Sequence, residues 1–190
     1  MDCMLHIVGA GICEGHITEI GKKIIGDADV VYGSKRALKL VRRYIKGEEV
    51  VLKRFDEEIR KNIEKEAEKT NVVVVSTGDP LVSGLGTLFD GIVVPGISSV
   101  QVALAKLRVD LCDVLVVDAH AKKFEIKNRH LLILADKKFD VSMFGHREVI
   151  VLENLCEKDE RIIYGLADEI KLRSDYSIIF VKEGCKCERV

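Results

Sequence analysis

Two kinds of segment alternate along the chain. Short, unbroken apolar runs rich in β-branched residues are followed by longer stretches in which apolar positions recur every three or four residues among charges. The first kind reads as strands buried on both faces and the second as amphipathic helices covering them. Their alternation predicts α/β layering around a parallel sheet. In the first half, strands are expected at residues 5–8, 30–32, 49–52, 72–75 and 92–94. Val72, Val73, Val74 and Val75 form a wholly β-branched run, which predicts the central strand. Helices are expected from about Thr18 and from Ser34 to about Tyr44, both starting at natural N-caps. Another is expected over 56–69, where Ile59, Ile63 and Ala67 fall at i, i+4 and i+8. Two more are expected from Gly84 and from Ser98 to about Leu107.

The second half changes character. Residues 114–117, 131–134, 149–152, 161–163 and 177–181 read as strands, with fewer and shorter helices between them. Connections as short as 153–160 suit hairpins, so a mixed sheet is expected. The change at 108–113 predicts two lobes. Residues 1–110 form an α/β lobe with glycine loops, and residues 111–190 form a second α/β lobe, with a ligand cleft between them. The expected fold class is therefore α/β, with an N-terminal parallel sheet and flanking helices and a C-terminal mixed sheet.

Composition narrows the function classes. With 190 residues, 47% of them hydrophobic, the chain has the means to bury a core. Thirty basic against thirty-one acidic side chains leave no positive field for nucleic acid. No apolar run approaches the roughly 20 residues of a membrane span, and the start of the chain lacks a signal-peptide pattern, so a cytoplasmic protein is expected. The six cysteines form no CxxC pair and the five histidines fall at no metal-ligand spacing, so no metal site is expected. Cys185 and Cys187 read as reduced thiols of a tail.

Three loops carry candidate chemistry. Gly9-Ala10-Gly11 follows the first strand, but the next glycine is Gly15, one residue late for a dinucleotide fingerprint. Asp29 also precedes the second strand, whereas a ribose-holding acid should follow it, so a nicotinamide cofactor is not the reading. Ser76-Thr77-Gly78-Asp79-Pro80-Leu81 lies at the carboxyl end of the central strand, where open α/β sheets bind ligands. Pro80 holds Asp79 extended, and Gly78 removes bulk beside it. Val94-Pro95-Gly96-Ile97-Ser98-Ser99 runs from a strand into a helix N-terminus, a natural polar or anionic site.

Gly78-Asp79-Pro80 with Leu81 and Gly84, followed by Pro95-Gly96-Ile97-Ser98-Ser99, resembles the tetrapyrrole methylase family, whose members use S-adenosylmethionine (SAM). Further residues resemble the corrin branch that methylates carbon 5 of cobalt-precorrin-7 in cobalamin biosynthesis. They are residues 28–36 around Tyr32-Gly33-Ser34-Lys35-Arg36, then Gln101, Glu153-Asn154-Leu155 and Glu160-Arg161-Ile162. The resemblance spans nearly the whole chain. It differs from the family pattern in a first loop one residue shorter and in Asp118-Ala119-His120-Ala121-Lys122, which keeps the histidine of the family motif without its Gly-Arg.

The resemblance implies a SAM site built from Ile12, Asp79, Val82, Ser98 and Ser99, with Leu134, Ala135 and Leu152 from the second lobe. It implies substrate contacts at His120 and, from the basic stretch after the second strand, at Lys35 and Arg36. Lys39, Arg42, Arg43 and Lys46, with no acid between them, read as solvated surface. No catalytic base is assigned. A homodimer is implied, with the C(15)-methylating decarboxylase as a functional partner and no nucleic acid or membrane partner. The alternatives are another tetrapyrrole methylase, a diphthine-type methylase, or a non-catalytic corrinoid- or nucleotide-binding protein.

Overall fold

The computed structural model describes residues 4–119 and 129–183. The described chain divides into two compact units, Met1–Ser99 and Val100–Val190. That division falls ahead of the boundary expected at 108–113. The change in sequence character there marks where a helix ends, closed by the Val109 N–H on the Leu104 carbonyl at 3.1 Å, and the division between the units comes at the first residue of that helix, Ser99.

The first unit holds β1 (Leu5–Gly9), α1 (Glu19–Gly26), β2 (Val30–Gly33), α2 (Lys35–Val41), β3 (Glu48–Val51), α3 (Glu57–Ala67), β4 (Val72–Ser76) and β5 (Ile92–Val94). Its five strands lie in the order β3-β2-β4-β1-β5, every pair parallel. All four valines of β4 are buried, and their alternation distributes them to two apolar layers. Val73 and Val75 join Val8, Val31, Ile25 of α1 and Leu38 of α2. Val72 and Val74 join Leu5, Ile7, Phe89 and Ile63 of α3. Helices thus cover both faces, which is why the parallel strands read as unbroken apolar runs.

Each helix start follows its sequence signal. Thr18 Oγ1 accepts the Gly21 N–H at 3.1 Å, Ser34 Oγ the Ala37 N–H at 3.1 Å, and Asp56 Oδ1 the Ile59 N–H at 3.0 Å. Two expectations are corrected. The helix after Ser34 is α-helical only to Val41, and residues 42–44 tighten into a 3-10 turn. The helix expected from Gly84 does not form. The chain turns instead: the Gly86 N–H donates to the Pro80 carbonyl at 2.8 Å, and Ser83 takes a left-handed φ of 50°. Two glycines within three residues make a helix there entropically expensive, and this return loop uses their missing side chains. A Cβ on Gly84 would sit 2.7 Å from the Pro80 carbonyl oxygen.

The second unit holds α4 (Ser99–Leu107), which begins at the last residue of the first unit, then β6 (Val114–Asp118), β7 (His130–Ala135), β8 (Glu148–Glu153), β9 (Arg161–Leu166) and β10 (Ser177–Val181). The sheet order is β6-β7-β10-β8-β9, with β6 and β7 parallel and the other pairs antiparallel, the mixed sheet expected. Strands β8 and β9 form the hairpin expected across 153–160, with Glu153 opposite Arg161. Among the described residues, no helix is long and apolar enough to cross a membrane.

Glu153, 1% exposed, organises one end of this sheet. Its carboxylate accepts from Arg161 Nε at 2.8 Å, the Arg173 N–H at 2.6 Å, the Ser174 N–H at 3.2 Å and Ser177 Oγ at 3.3 Å. Burial pushes its pKa up. The Arg173 and Ser174 N–H groups and the Arg161 guanidinium outweigh that and hold the group below its ordinary value of 4.5. A folded-state pKa below the unfolded one means that this contribution is complete above pH 4.5 and is lost as pH falls through the folded value. Glu153→Gln should therefore cost about 2–4 kcal/mol at neutral pH, because it leaves Arg161 without its charge partner. The deficit, measured by urea unfolding, should shrink below pH 4.5; a deficit unchanged down to pH 3 would show that the charge is not the cause.

Candidate functional site

Three loops of the first unit meet at the carboxyl ends of the adjacent strands β4, β1 and β5, where ligands of open α/β sheets bind. They touch backbone to backbone. The Ala10 N–H donates to the Ser76 carbonyl at 2.9 Å, and Gly11 and Gly78 exchange two hydrogen bonds, at 3.1 and 2.9 Å. Both take left-handed φ values, 71° and 76°, which suit glycine. The third loop is tied in by the Ile97 N–H on the His16 carbonyl at 3.3 Å and by a bridge between Ile17 and Gly96.

The approach leaves no room for side chains at its centre. A Cβ on Gly9 would lie 2.5 Å from the Gly96 nitrogen and 2.7 Å from the Gly78 oxygen. One on Gly96 would lie 2.6 Å from the Gly78 oxygen and 2.7 Å from the Gly9 oxygen. Asp79 adds a side-chain tie: Oδ1 accepts the Leu81 N–H at 2.8 Å, and Oδ2 accepts the Gly96 N–H at 3.2 Å across 17 positions of sequence. Its carboxylate therefore positions two loops, a role that its place at a strand end does not reveal.

Of the residues singled out from the sequence, the structure gathers Ile12, Asp79, Val82, Ser98 and Ser99 on these three loops. Ile12 and Ser98 are buried, while Asp79, Val82 and Ser99 are half-buried. Beside Gly78 the space is bounded by Ile12 Cγ2 at 3.4 Å and Ser98 Cα at 3.8 Å from where a Cβ would stand. Helix α4 starts at Ser99, so N–H groups without intrahelical acceptors begin at this loop. Apolar Ile12 and Val82, serine hydroxyls and a helix N-terminus are the groups that suit a ligand with one flat apolar part and several polar groups.

In the second unit, Leu134 and Ala135 end β7, and the Leu134 carbonyl accepts the Ala119 N–H at 2.8 Å. Leu152 is fully buried in β8, so its side chain has no exposed surface for a ligand. Lys35 is exposed and Arg36 half-buried in the first turn of α2. His120 lies outside the described residues. Lys39, Arg42, Arg43 and Lys46 are exposed, as expected, and two of them are ion-paired at the surface: Arg42 Nε with Glu49 at 2.8 Å, and Arg43 with Glu14 at 2.7 Å.

The model of the tetrapyrrole (corrin/porphyrin) methylases matches residues 4–171. The chain is 32% identical over 170 residues to a probable cobalt-precorrin-7 C(5)-methyltransferase of Methanocaldococcus jannaschii, covering 84% of this chain and 76% of the relative. It is 29% identical over 180 residues to the cobalt-precorrin-7 C(5)-methyltransferase of Salmonella typhimurium, covering 84% and 89%. The crystal structure of a cobalamin-biosynthesis precorrin-6Y methylase from Archaeoglobus fulgidus superposes with a TM-score of 0.88 at 48% identity, covering 95% of this chain and 98% of that one.

The contact of Gly9, Gly78 and Gly96 predicts that Gly96→Ala costs about 1–3 kcal/mol, because the methyl group meets backbone atoms that cannot swing aside. Chemical denaturation measures it, and a variant as stable as the native protein would show that the loops have slack.

Proposed function

The chain belongs to the tetrapyrrole (corrin/porphyrin) methylase family, and from that premise we propose that it transfers a methyl group from SAM to carbon 5 of cobalt-precorrin-7 in cobalamin biosynthesis. The observation that carries this reading is that two of the three interlocked loops, those after β4 and β5, consist of the residues on which the resemblance to the family rests. The names of relatives that match most of the chain supply the substrate.

SAM, when bound, supplies an electrophilic methyl group on a sulfonium. The work of the protein is then to position and desolvate. Ile12 and Val82 offer apolar surface for the adenine, and Ser98 and Ser99 offer hydroxyls and N–H groups for the polar parts. Asp79 acts through the loops it joins, as a positioning residue. We assign no side chain as a catalytic base. Lys35, Arg36 and His120 are proposed substrate contacts. The protein works in the cytoplasm as a homodimer, with the C(15)-methylating decarboxylase as its functional partner.

Incubation with SAM and cobalt-precorrin-7 should yield a product heavier by one methyl group. Calorimetry should show saturable SAM binding and no heat with NAD; the reverse pattern would remove the basis for the reading.

Asp79→Ala frees the Gly96 N–H and unties two loops, so SAM affinity should fall by about 1–3 kcal/mol while the core, built elsewhere, still folds. Unaltered affinity would take Asp79 out of the site. Light scattering should give twice the 21.2 kDa chain mass, and a monomer at micromolar concentration would refute the dimer.

A further inference from the structure

An open cavity of about 330 Å³ lies beside the interlocked loops, at the carboxyl ends of β2, β3 and β4. Its walls combine three chemistries. Leu52, Phe55, Val75 and Leu85 are apolar, and Phe55 is held by an edge-on contact with Phe89, ring centres 5.3 Å apart. Ser34, Ser76, Thr77 and Ser83 bring hydroxyls. Lys53 and Arg54, the second and third residues after β3, bring two positive charges, and among the described residues no carboxylate lines the cavity.

These cations differ from three arginines of the same unit. Arg42, Arg43 and Arg60 are each matched to a glutamate. Lys53 has no carboxylate partner among the described residues. Arg54 uses Nε to reach Asp56 at 3.0 Å, and Asp56 in turn caps α3. That contact holds the guanidinium at its Nε, near the root of the group. A fork held at its base over an apolar floor recognises a carboxylate carried on a hydrocarbon arm. The volume is at the small end for ligand pockets, which run to about 1,000 Å³, so it suits one arm or edge of a large ring and not a whole macrocycle.

We propose that this cavity is an anion subsite in which Lys53 and Arg54 hold a carboxylate arm of the tetrapyrrole. The assignment rests on the methyltransferase reading above for the identity of that substrate. A carboxylate could also come from the methionine part of SAM, and the two sources are separable. The double variant Lys53→Gln, Arg54→Gln should raise the KM for cobalt-precorrin-7 by about tenfold to a hundredfold, since two charge-assisted contacts are lost. It should leave kcat and the calorimetric Kd for SAM within about twofold.

Both side chains are exposed, so thermal melting should match the native protein, and Lys53→Arg should retain most of the affinity that Lys53→Gln loses. Lys61→Glu, a larger charge change on an exposed residue of α3, should leave KM in place and so exclude a general field effect.

A binding assay independent of turnover uses an octacarboxylate porphyrin followed by its absorbance. The native protein should bind it more tightly than the double variant, and more tightly than it binds the same porphyrin with its carboxylates esterified. If the native protein methylates no cobalt-precorrin, the functional reading fails, while the porphyrin arm still tests the cavity. An unchanged KM together with unchanged porphyrin affinity in the double variant would overturn the subsite. A loss of SAM affinity with unchanged KM would also overturn it, by giving the cavity to the cofactor.

Discussion

The first unit depends on three strand-end loops approaching until their backbones touch. Strands β4, β1 and β5 are adjacent and parallel, so their carboxyl ends open side by side and the polar groups of three loops crowd one edge. Those groups satisfy one another through the Ala10–Ser76 bond and the paired bonds of Gly11 and Gly78. Only glycine permits that spacing at positions 9 and 96, where any Cβ would fall inside the contact distance of a neighbouring backbone atom. Asp79 completes the arrangement by accepting from Leu81 and Gly96 together. The ligand-facing side chains are therefore attached to a base that has little freedom, and the ordering cost of the site is met in folding and not in binding.

The charges are sorted by the same fold. The net charge is −1, yet the positive side chains are not evenly neutralised. Arg42 and Arg43, on the 3-10 turn after α2, find acids from elsewhere in the unit, Glu49 and Glu14, while Lys53 and Arg54 stand at a sheet edge whose cavity is lined by no acid among the described residues. A run of cations in the sequence is thus a poor guide to where uncompensated charge lies. Compensation comes from residues up to 29 positions away, and after β3 Lys53 has no carboxylate partner among the described residues.

Much of this architecture is legible in the sequence, for physical reasons. Strands buried on both faces must be apolar throughout, so Val72–Ser76 and its neighbours announce themselves, and Thr18, Ser34 and Asp56 mark helix starts because their side chains complete the first turn. The stretch after Gly84 misleads because apolar Leu85 and Leu88 at helical spacing say nothing of the close backbone packing that its glycines permit. Asp79 is visible as a polar residue at a strand end. Its tie to Gly96 is not, because only the parallel pairing of β1 with β5 brings the two loops together. Lys53 and Arg54 obey the same strand-end rule that points to Ser76–Val82, but they follow β3, whose exposed, charged residues draw less notice than the valines of β4.

On the proposed reading, the two regions at this sheet edge would divide the work by stiffness. A cofactor that must present one atom in one direction is served by glycine-packed backbone, where a displacement of a few tenths of an ångström meets repulsion. A large polyanionic ring is served differently. Exposed lysine and arginine contacts are individually weak, because water and salt screen them. A ligand with many carboxylates does not need any single one to be strong, since contacts made by one rigid molecule after the first are intramolecular. Exposed cations over an apolar floor also tolerate small changes in the arm they hold, so they fix which edge of the ring enters without fixing its atoms to the precision that the transfer requires. On the same reading, the final precision would come from the stiff loops next to the cavity, whose lining includes Ser76 and Thr77, just ahead of the Gly78–Asp79 turn.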